Sequence, residues 1–150
     1  MEPMTKTFSV RSVEDWDNVA QEILALLKPG TILALSGPLG VGKTTFVQAL
    51  ARALGVTKNP RSPTFSLLRT YEMPKGNAIK RLVHVDAYRL DKPTDILPLN
   101  LDEELAEPGT IIAMEWPEQA TEWLAHYKER TIWMEMGMEE DGEREVKIRT

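Results

Sequence analysis

The chain has 150 residues, of which 42% are hydrophobic and none is cysteine, enough apolar material for one core. Without cysteine there is no disulfide, thiolate metal site or cysteine nucleophile, a composition compatible with a reducing compartment. Against 23 acidic residues stand 18 basic ones, net charge -5, and no lysine or arginine cluster marks a polyanion-binding face. The opening "MEPMTKTFSV" holds no apolar run of signal length, and nowhere do eighteen apolar residues run together. A soluble, cytoplasmic protein with no membrane association and a single domain over residues 1–150 is expected.

Thr5 to Val10 alternates polar and apolar residues and reads as a short edge strand with Phe8 and Val10 on one side. "SVEDWDNVAQEILALL" then places Val13, Trp16, Ala20, Ile23 and Leu27 at helical spacing, with Ser12 and Asp15 spaced as a capping box and "KPG" as the stop. Trp16 is read as a core residue. The apolar run Thr31 to Leu35 suits a strand covered on both faces, and a helix follows from Lys43 to Leu54, ended by Gly55. "TFSLLRTYEM", "PKGN" and "AIKRLVHVDAY" read as a β-hairpin. Between Leu90 and Pro108 no clean period appears, and short helices are expected around Asp95 and Glu103. "TIIAMEW" reads as a buried strand, and "PEQATEWLAHYK" as a helix with Pro117 in its first turn. The end forms a second hairpin: Ile132, Met134, Met136 and Met138 alternate, as do Val146 and Ile148, around a two-residue Asp141-Gly142 turn. Its methionines are read as a buried strand face.

Between the apolar run and the second helix lies "SGPLGVGKTT", in which Gly37 to Thr44 satisfies G-x-x-x-x-G-K-[ST] at every fixed position. A strand leads in and a helix leads out, so Gly37, Pro38, Leu39, Gly40, Val41 and Gly42 form a loop whose backbone N–H groups can turn toward phosphate oxygens. The helix N-terminus adds partial positive charge. Lys43 suits the β- and γ-phosphates of ATP, the Thr44 hydroxyl suits Mg²⁺, and Thr45 suits the α-phosphate. Asp86 closes "LVHVD" and Glu115 closes "IIAME", each a carboxylate at the end of an apolar strand, where open α/β sheets place ligands. One would hold the Mg²⁺ shell and the other coordinate metal or orient the attacking water; spacing does not assign the roles. In "RSPTF", Ser62 and Thr64 offer hydroxyls beside the stiffening Pro63, as in a switch segment or in a polar turn before a strand. His84 shares a strand face with Asp86, although a lone strand histidine is ordinarily structural. Tyr88 and Arg89 follow Asp86 closely, and Trp116 is either a packing residue or a flat surface beside the nucleotide.

Taken in order, "SGPLGVGKTT", "RSPTF", "HVDAYRL" and "MEWPE" resemble the bacterial TsaE (YjeE) family, the ATPases of tRNA threonylcarbamoyladenosine biosynthesis. The likeness runs from about Ser36 to Glu118, with no departure at the matched positions. It implies a P-loop NTPase-like α/β fold, with a largely parallel central sheet, added hairpins and helices on both faces. It also implies ATP and Mg²⁺ as ligands, slow hydrolysis, and support of the proteins TsaB and TsaD, with tRNA met only indirectly. By that resemblance Lys43, Thr44 and Thr45 belong to the phosphate site, Asp86 and Thr64 to the metal and γ-phosphate region, and Glu115 and Trp116 to the catalytic edge. Without an arginine finger in cis, hydrolysis lacks a term worth about 10³ to 10⁵ in rate, or roughly 4 to 7 kcal/mol of barrier, so the isolated chain should turn over slowly. A small-molecule kinase would share the loop but wants a basic lid, which the stretch after Glu118 does not offer. A GTPase would want a late [NT]-K-x-D motif, and "TKNP" at Thr57 is not one. An ATP-gated assembly subunit, whose hydrolysis is incidental, remains the alternative from a different class.

Overall fold

The computed structural model describes residues 4–56 and 67–150. Seven strands form one sheet in the order β1-β7-β6-β2-β5-β4-β3. β2 (Ile32–Ser36), β4 (Arg81–Asp86), β5 (Thr110–Glu115) and β6 (Thr131–Met138) make its parallel centre. β1 (Thr5–Val10), β7 (Arg144–Arg149) and β3 (Leu68–Glu72) extend it antiparallel at the two sides. The central strands are read as continuous apolar runs because both faces are covered. On one face Leu33, Leu35, Leu82, Ile111, Ala113 and Met134 pack against α1 (Val13–Leu24) and α2 (Lys43–Ala53). On the other, Ile32, Val83, Val85, Ile112 and Met114 pack against α3 (Leu101–Ala106), α4 (Thr121–Ala125) and the 3₁₀ segments Pro93–Leu99 and Pro117–Ala120. The expected mixed α/β architecture is the one observed, with β1 at the edge and short helices in the 90–108 stretch.

Local chemistry explains the helix ends. Ser12 accepts the Asp15 N–H at 3.2 Å at the start of α1, while the Asp15 carboxylate reaches back to the Arg11 N–H at 2.8 Å, which satisfies two otherwise unpaired donors. α2 ends in a Schellman motif: Gly55, at φ +89°, donates to the Arg52 carbonyl, and Val56 donates to that of Ala51.

Five expectations need correction. Val13 is 62% exposed, because at the first helical position it precedes the stripe of Trp16, Val19, Ala20 and Ile23 that meets the sheet. Leu27 lies beyond α1 in a 3₁₀ turn, with its N–H on the Leu24 carbonyl. After Pro117 the chain forms a 3₁₀ segment before α4 rather than one helix, and the two meet at Ala120, whose φ/ψ of -135°/31° is not helical. The last hairpin closes on three residues, not two. Glu139 and Glu143 still pair, Gly142 donates to the Glu139 carbonyl, and Gly142 sits at φ +85°, the arrangement of a type I turn followed by a G1 bulge. The methionine face is buried at Met134 and Met136 but exposed at Met138, beyond the cover of the helices.

Replacing Ser12 by alanine is expected to lower stability by about 1 kcal/mol through loss of the N-cap. Urea denaturation measures this as a lower midpoint at unchanged slope, and an unaltered midpoint would show the cap to be idle.

Candidate nucleotide site

Register sets the site. Leu35 of β2 stands level with Glu115 of β5, and Glu115 level with Asp86 of β4. The carboxyl ends of three neighbouring parallel strands therefore finish side by side, beneath the loop that leaves β2. Glu115, Asp86 and His84 all lie on the α2 side of the sheet, since they keep the parity of Leu82, Ile111 and Ala113.

The loop is held closely on two sides. A side chain at Gly37 would place its Cβ 2.5 Å from the Met136 carbonyl oxygen, and one at Gly42, which has φ +121°, would meet the Trp16 ring at 2.5 Å. These two glycines are demanded by close approach as well as by backbone angle. α2 then starts with Gly42 as its N-cap and no side chain capping it, unlike α1. Its first-turn N–H groups have no side-chain cap, and no acidic side chain occupies that turn.

Lys43, the first residue of α2, is only 4% exposed. Its ammonium donates to the Gly37 carbonyl at 2.5 Å and lies 3.4 Å from the centre of the Trp116 ring. Burial pushes the ammonium below its ordinary pKa, against the opposing pull of Glu115, Glu118 and Asp86. Trp116 itself is held in the left-handed region, φ 59°, immediately before Pro117, a conformation that costs about 1–3 kcal/mol for a residue with a side chain. Its N–H on the Leu35 carbonyl and its ring contact with Tyr88, 5.0 Å between centroids, keep it there.

Facing Lys43, the Thr44 hydroxyl is shared between the Glu115 oxygens at 3.1 and 3.0 Å. His84 Nε2 lies 2.5 Å from Glu115 Oε2. Both Glu115 and His84 are buried, and among the described residues His84 Nδ1 has no hydrogen-bond partner. Asp86 is half-buried and accepts the Tyr88 N–H at 3.0 Å, which caps the 3₁₀ turn Ala87–Arg89. A cleft of about 210 Å³ is lined by Leu39, Gly40, Gly42, Lys43, Thr44, Thr45, Asp86, Tyr88, Glu115 and Trp116. A smaller one of about 70 Å³ adjoins it, lined by Thr44, Leu67, Arg69, His84, Asp86 and Glu115. A larger hollow of about 380 Å³ opens at the other end of the sheet, around Lys28, Pro108 and Arg130, away from the strand ends that carry the acids.

Most of the residues singled out in the sequence therefore come together. Leu39 and Gly40 stand at the exposed tip of the loop, whereas Val41 is fully buried and turns inward to the core. Pro38 accepts the Val41 N–H and does not line the cleft. Ser62, Pro63 and Thr64 lie outside the described residues. Among the described residues no three of the His, Asp and Glu side chains cluster as a ready metal cage. The donors present are a hydroxyl and two carboxylates, the oxygen set that suits Mg²⁺, a cation that keeps much of its water and takes few protein ligands. Sequence reasoning passed over Arg69, which faces the smaller cleft from β3 in register with His84.

The family model described as "Threonylcarbamoyl adenosine biosynthesis protein TsaE" matches residues 10–146. The chain belongs to the TsaE family. Among curated TsaE relatives, that of Aquifex aeolicus is 43% identical over 119 residues, 77% of this chain and 80% of the relative. That of Treponema pallidum is 32% identical over 138 residues, 92% of this chain and 96% of the relative. The crystal structure of Bacillus subtilis YdiB superposes with a TM-score of 0.72 at 25% identity, covering 100% of this chain and 88% of YdiB. TsaE membership accounts for the ordered motifs, and no helix among the described residues is long and apolar enough to cross a membrane.

Gly42→Ala tests the close approach to Trp16. It is expected to destabilise the protein by about 2 kcal/mol or more, from backbone strain plus overlap with the ring, read by chemical denaturation. A variant as stable as the parent would mean that the loop is not packed on α1 as described.

Proposed function

We propose that this TsaE-family chain is a Mg²⁺-dependent ATP-binding protein with slow ATP hydrolysis. We propose further that it acts with TsaB and TsaD in forming threonylcarbamoyladenosine in tRNA, meeting the tRNA only through them, in the cytoplasm. The observation that carries the reading is the buried Lys43 ammonium at the uncapped start of α2, opposite the two strand-end acids Asp86 and Glu115.

In this reading the N–H groups of the glycine loop and of the first turn of α2 hold the phosphates. Lys43 exchanges the Gly37 carbonyl for the β- and γ-phosphate oxygens, which restores the anionic partner its buried charge lacks. Thr44 and Asp86 would supply oxygen ligands to Mg²⁺, and Glu115 would orient the attacking water. Mg²⁺, when bound, neutralises charge on the phosphate oxygens and so favours displacement at phosphorus. Trp116 shields Lys43 from solvent, which strengthens its attraction for phosphate. Thr64 of the "RSPTF" segment is proposed for the γ-phosphate region.

Both oxygens of Glu115 are in contact with Thr44 or His84, which fixes the carboxylate while leaving it a lone pair for a water. Among the described residues no arginine lines the larger cleft, and an arginine brought to it would add a term worth about 10³ to 10⁵ in rate. A partner that completes the charge would raise the rate.

ATP with Mg²⁺ at a hundred times its dissociation constant is expected to stabilise the chain by about 2.7 kcal/mol, seen as a thermal shift, and GTP to do less. Lys43→Ala should abolish the shift; an unchanged shift would remove the proposal. Turnover by the isolated chain should be slow and should rise when TsaB and TsaD are added, and fast unassisted turnover would count against it. Glu115→Ala separates hydrolysis from gating. It should keep the ATP-dependent thermal shift and lose turnover by about 10² or more, and full support of tRNA modification by that variant would favour the ATP-gated assembly subunit.

A further inference from the structure

The terminal hairpin reaches the phosphate loop through one side chain that the mechanism above does not use. Arg144, the first residue of β7, donates from Nε to the Val41 carbonyl at 2.8 Å, across 103 positions of sequence, and from Nη1 to the Gly142 carbonyl at 3.1 Å. Val41 immediately precedes Gly42, the N-cap of α2. We propose that Arg144 is a positioning residue of the nucleotide site, pinning the Val41–Gly42 peptide so that the loop is preformed for a polyphosphate.

The argument starts from the planarity of that peptide. In a trans peptide the C=O and the N–H point in opposite directions, and no cis bond occurs among the described residues. Holding the Val41 oxygen on Arg144 therefore aims the Gly42 N–H away from β7, and Gly42 lines the cleft. Gly42 stands at φ +121° against Trp16, and Gly37 against the Met136 carbonyl of β6, so α1, β6 and β7 grip the loop from three elements. Glycines make such a loop costly to order, and an ordered loop spares the ligand that cost. The guanidinium is itself fixed by the Gly142 carbonyl. Beside it Arg11 pairs with Glu143 at 3.1 Å, which ties the hairpin tip to the chain two residues ahead of α1, the helix that carries Trp16. Arg144 also leaves a positive charge next to the loop, which any anion would feel at longer range.

The proposal rests on the nucleotide-binding reading for its functional consequence, but not for its structural one. The test therefore uses two readouts on the full chain. Amide hydrogen exchange of residues 36–45 is followed without ligand, and the dissociation constant for ATP with Mg²⁺ is measured by calorimetry. Arg144→Ala is expected to speed exchange in the loop at least tenfold and to weaken ATP about tenfold, with kcat at saturating ATP falling less than threefold. Arg144→Gln places its amide nitrogen as many bonds from the backbone as the arginine Nε, so it should recover slow exchange and most of the affinity without the charge. Arg149→Ala, which removes a charge from the same strand where Arg149 pairs with Glu135, should change neither readout. Unaltered loop exchange in Arg144→Ala overturns the proposal whatever ATP does. Recovery of affinity by Arg144→Lys but not by Arg144→Gln also overturns it, by showing that charge rather than pinning matters. Faster loop exchange in Arg144→Ala together with no ATP binding by the parent chain would uphold the brace and reject the nucleotide reading instead.

Discussion

The parallel register of β2, β5 and β4 is the constraint on which the site depends. Because Leu35, Glu115 and Asp86 stand level, two carboxylates finish beside the loop that continues from β2. A slip of one residue in either pairing would turn every side chain of that strand to the opposite face, sending the acid into the α3 and α4 side of the sheet. Ile112 and Met114 pack one way and Ile111 and Ala113 the other, so a one-residue slip would exchange two apolar sets, and what it would break is the placement of Glu115 against Thr44 and His84.

On that frame the site collects features that do not favour stability. A lysine is buried, a helix begins without a cap, a tryptophan is held at positive φ before a proline, and a histidine nitrogen is enclosed without a partner. All four fall within one neighbourhood, although three of the features recur singly elsewhere: Asn100 stands at φ 52°, Thr110 Oγ1 is buried without a partner, and α3 and α4 have no side-chain cap. Departures from local consistency concentrate where a ligand supplies the missing partner. The Lys43 ammonium shows the logic most directly. Burial works against its charge, the Gly37 carbonyl and the Trp116 ring compensate in part, and an anion at the start of α2 would complete the compensation.

Much of this was legible along the chain, and what was not shares one cause. The helix and strand positions, the G-x-x-x-x-G-K-T loop, Asp86 and Glu115 each rest on a local pattern of period, punctuation or motif, and these survive folding because burial acts on them uniformly. Val13 fits the helical spacing but lies ahead of the contact with the sheet, so periodicity placed it in the core wrongly. The helix after Pro117 has helical composition, yet the chain must first turn beneath Trp116 and breaks at Ala120. The Asp141-Gly142 pair marks the turn correctly, but the pairing of Glu139 with Glu143 decides that three residues close it. His84 reads as an ordinary strand histidine until Glu115 is placed against it by the neighbouring strand.

The sequence by itself determined the family, since a G-x-x-x-x-G-K-T loop flanked by a strand and a helix, followed by three ordered motifs, is a local signal written in residue types. Only the tertiary structure decided that Thr44, Glu115 and His84 form one connected chain, that Trp16 is the wall against which Gly42 must be bare, and that the terminal hairpin reaches the loop through Arg144. The reason is physical. These contacts join residues from 26 to 103 positions apart, by arithmetic on their numbers, and no spacing rule links side chains whose proximity arises only after the sheet has ordered its strands.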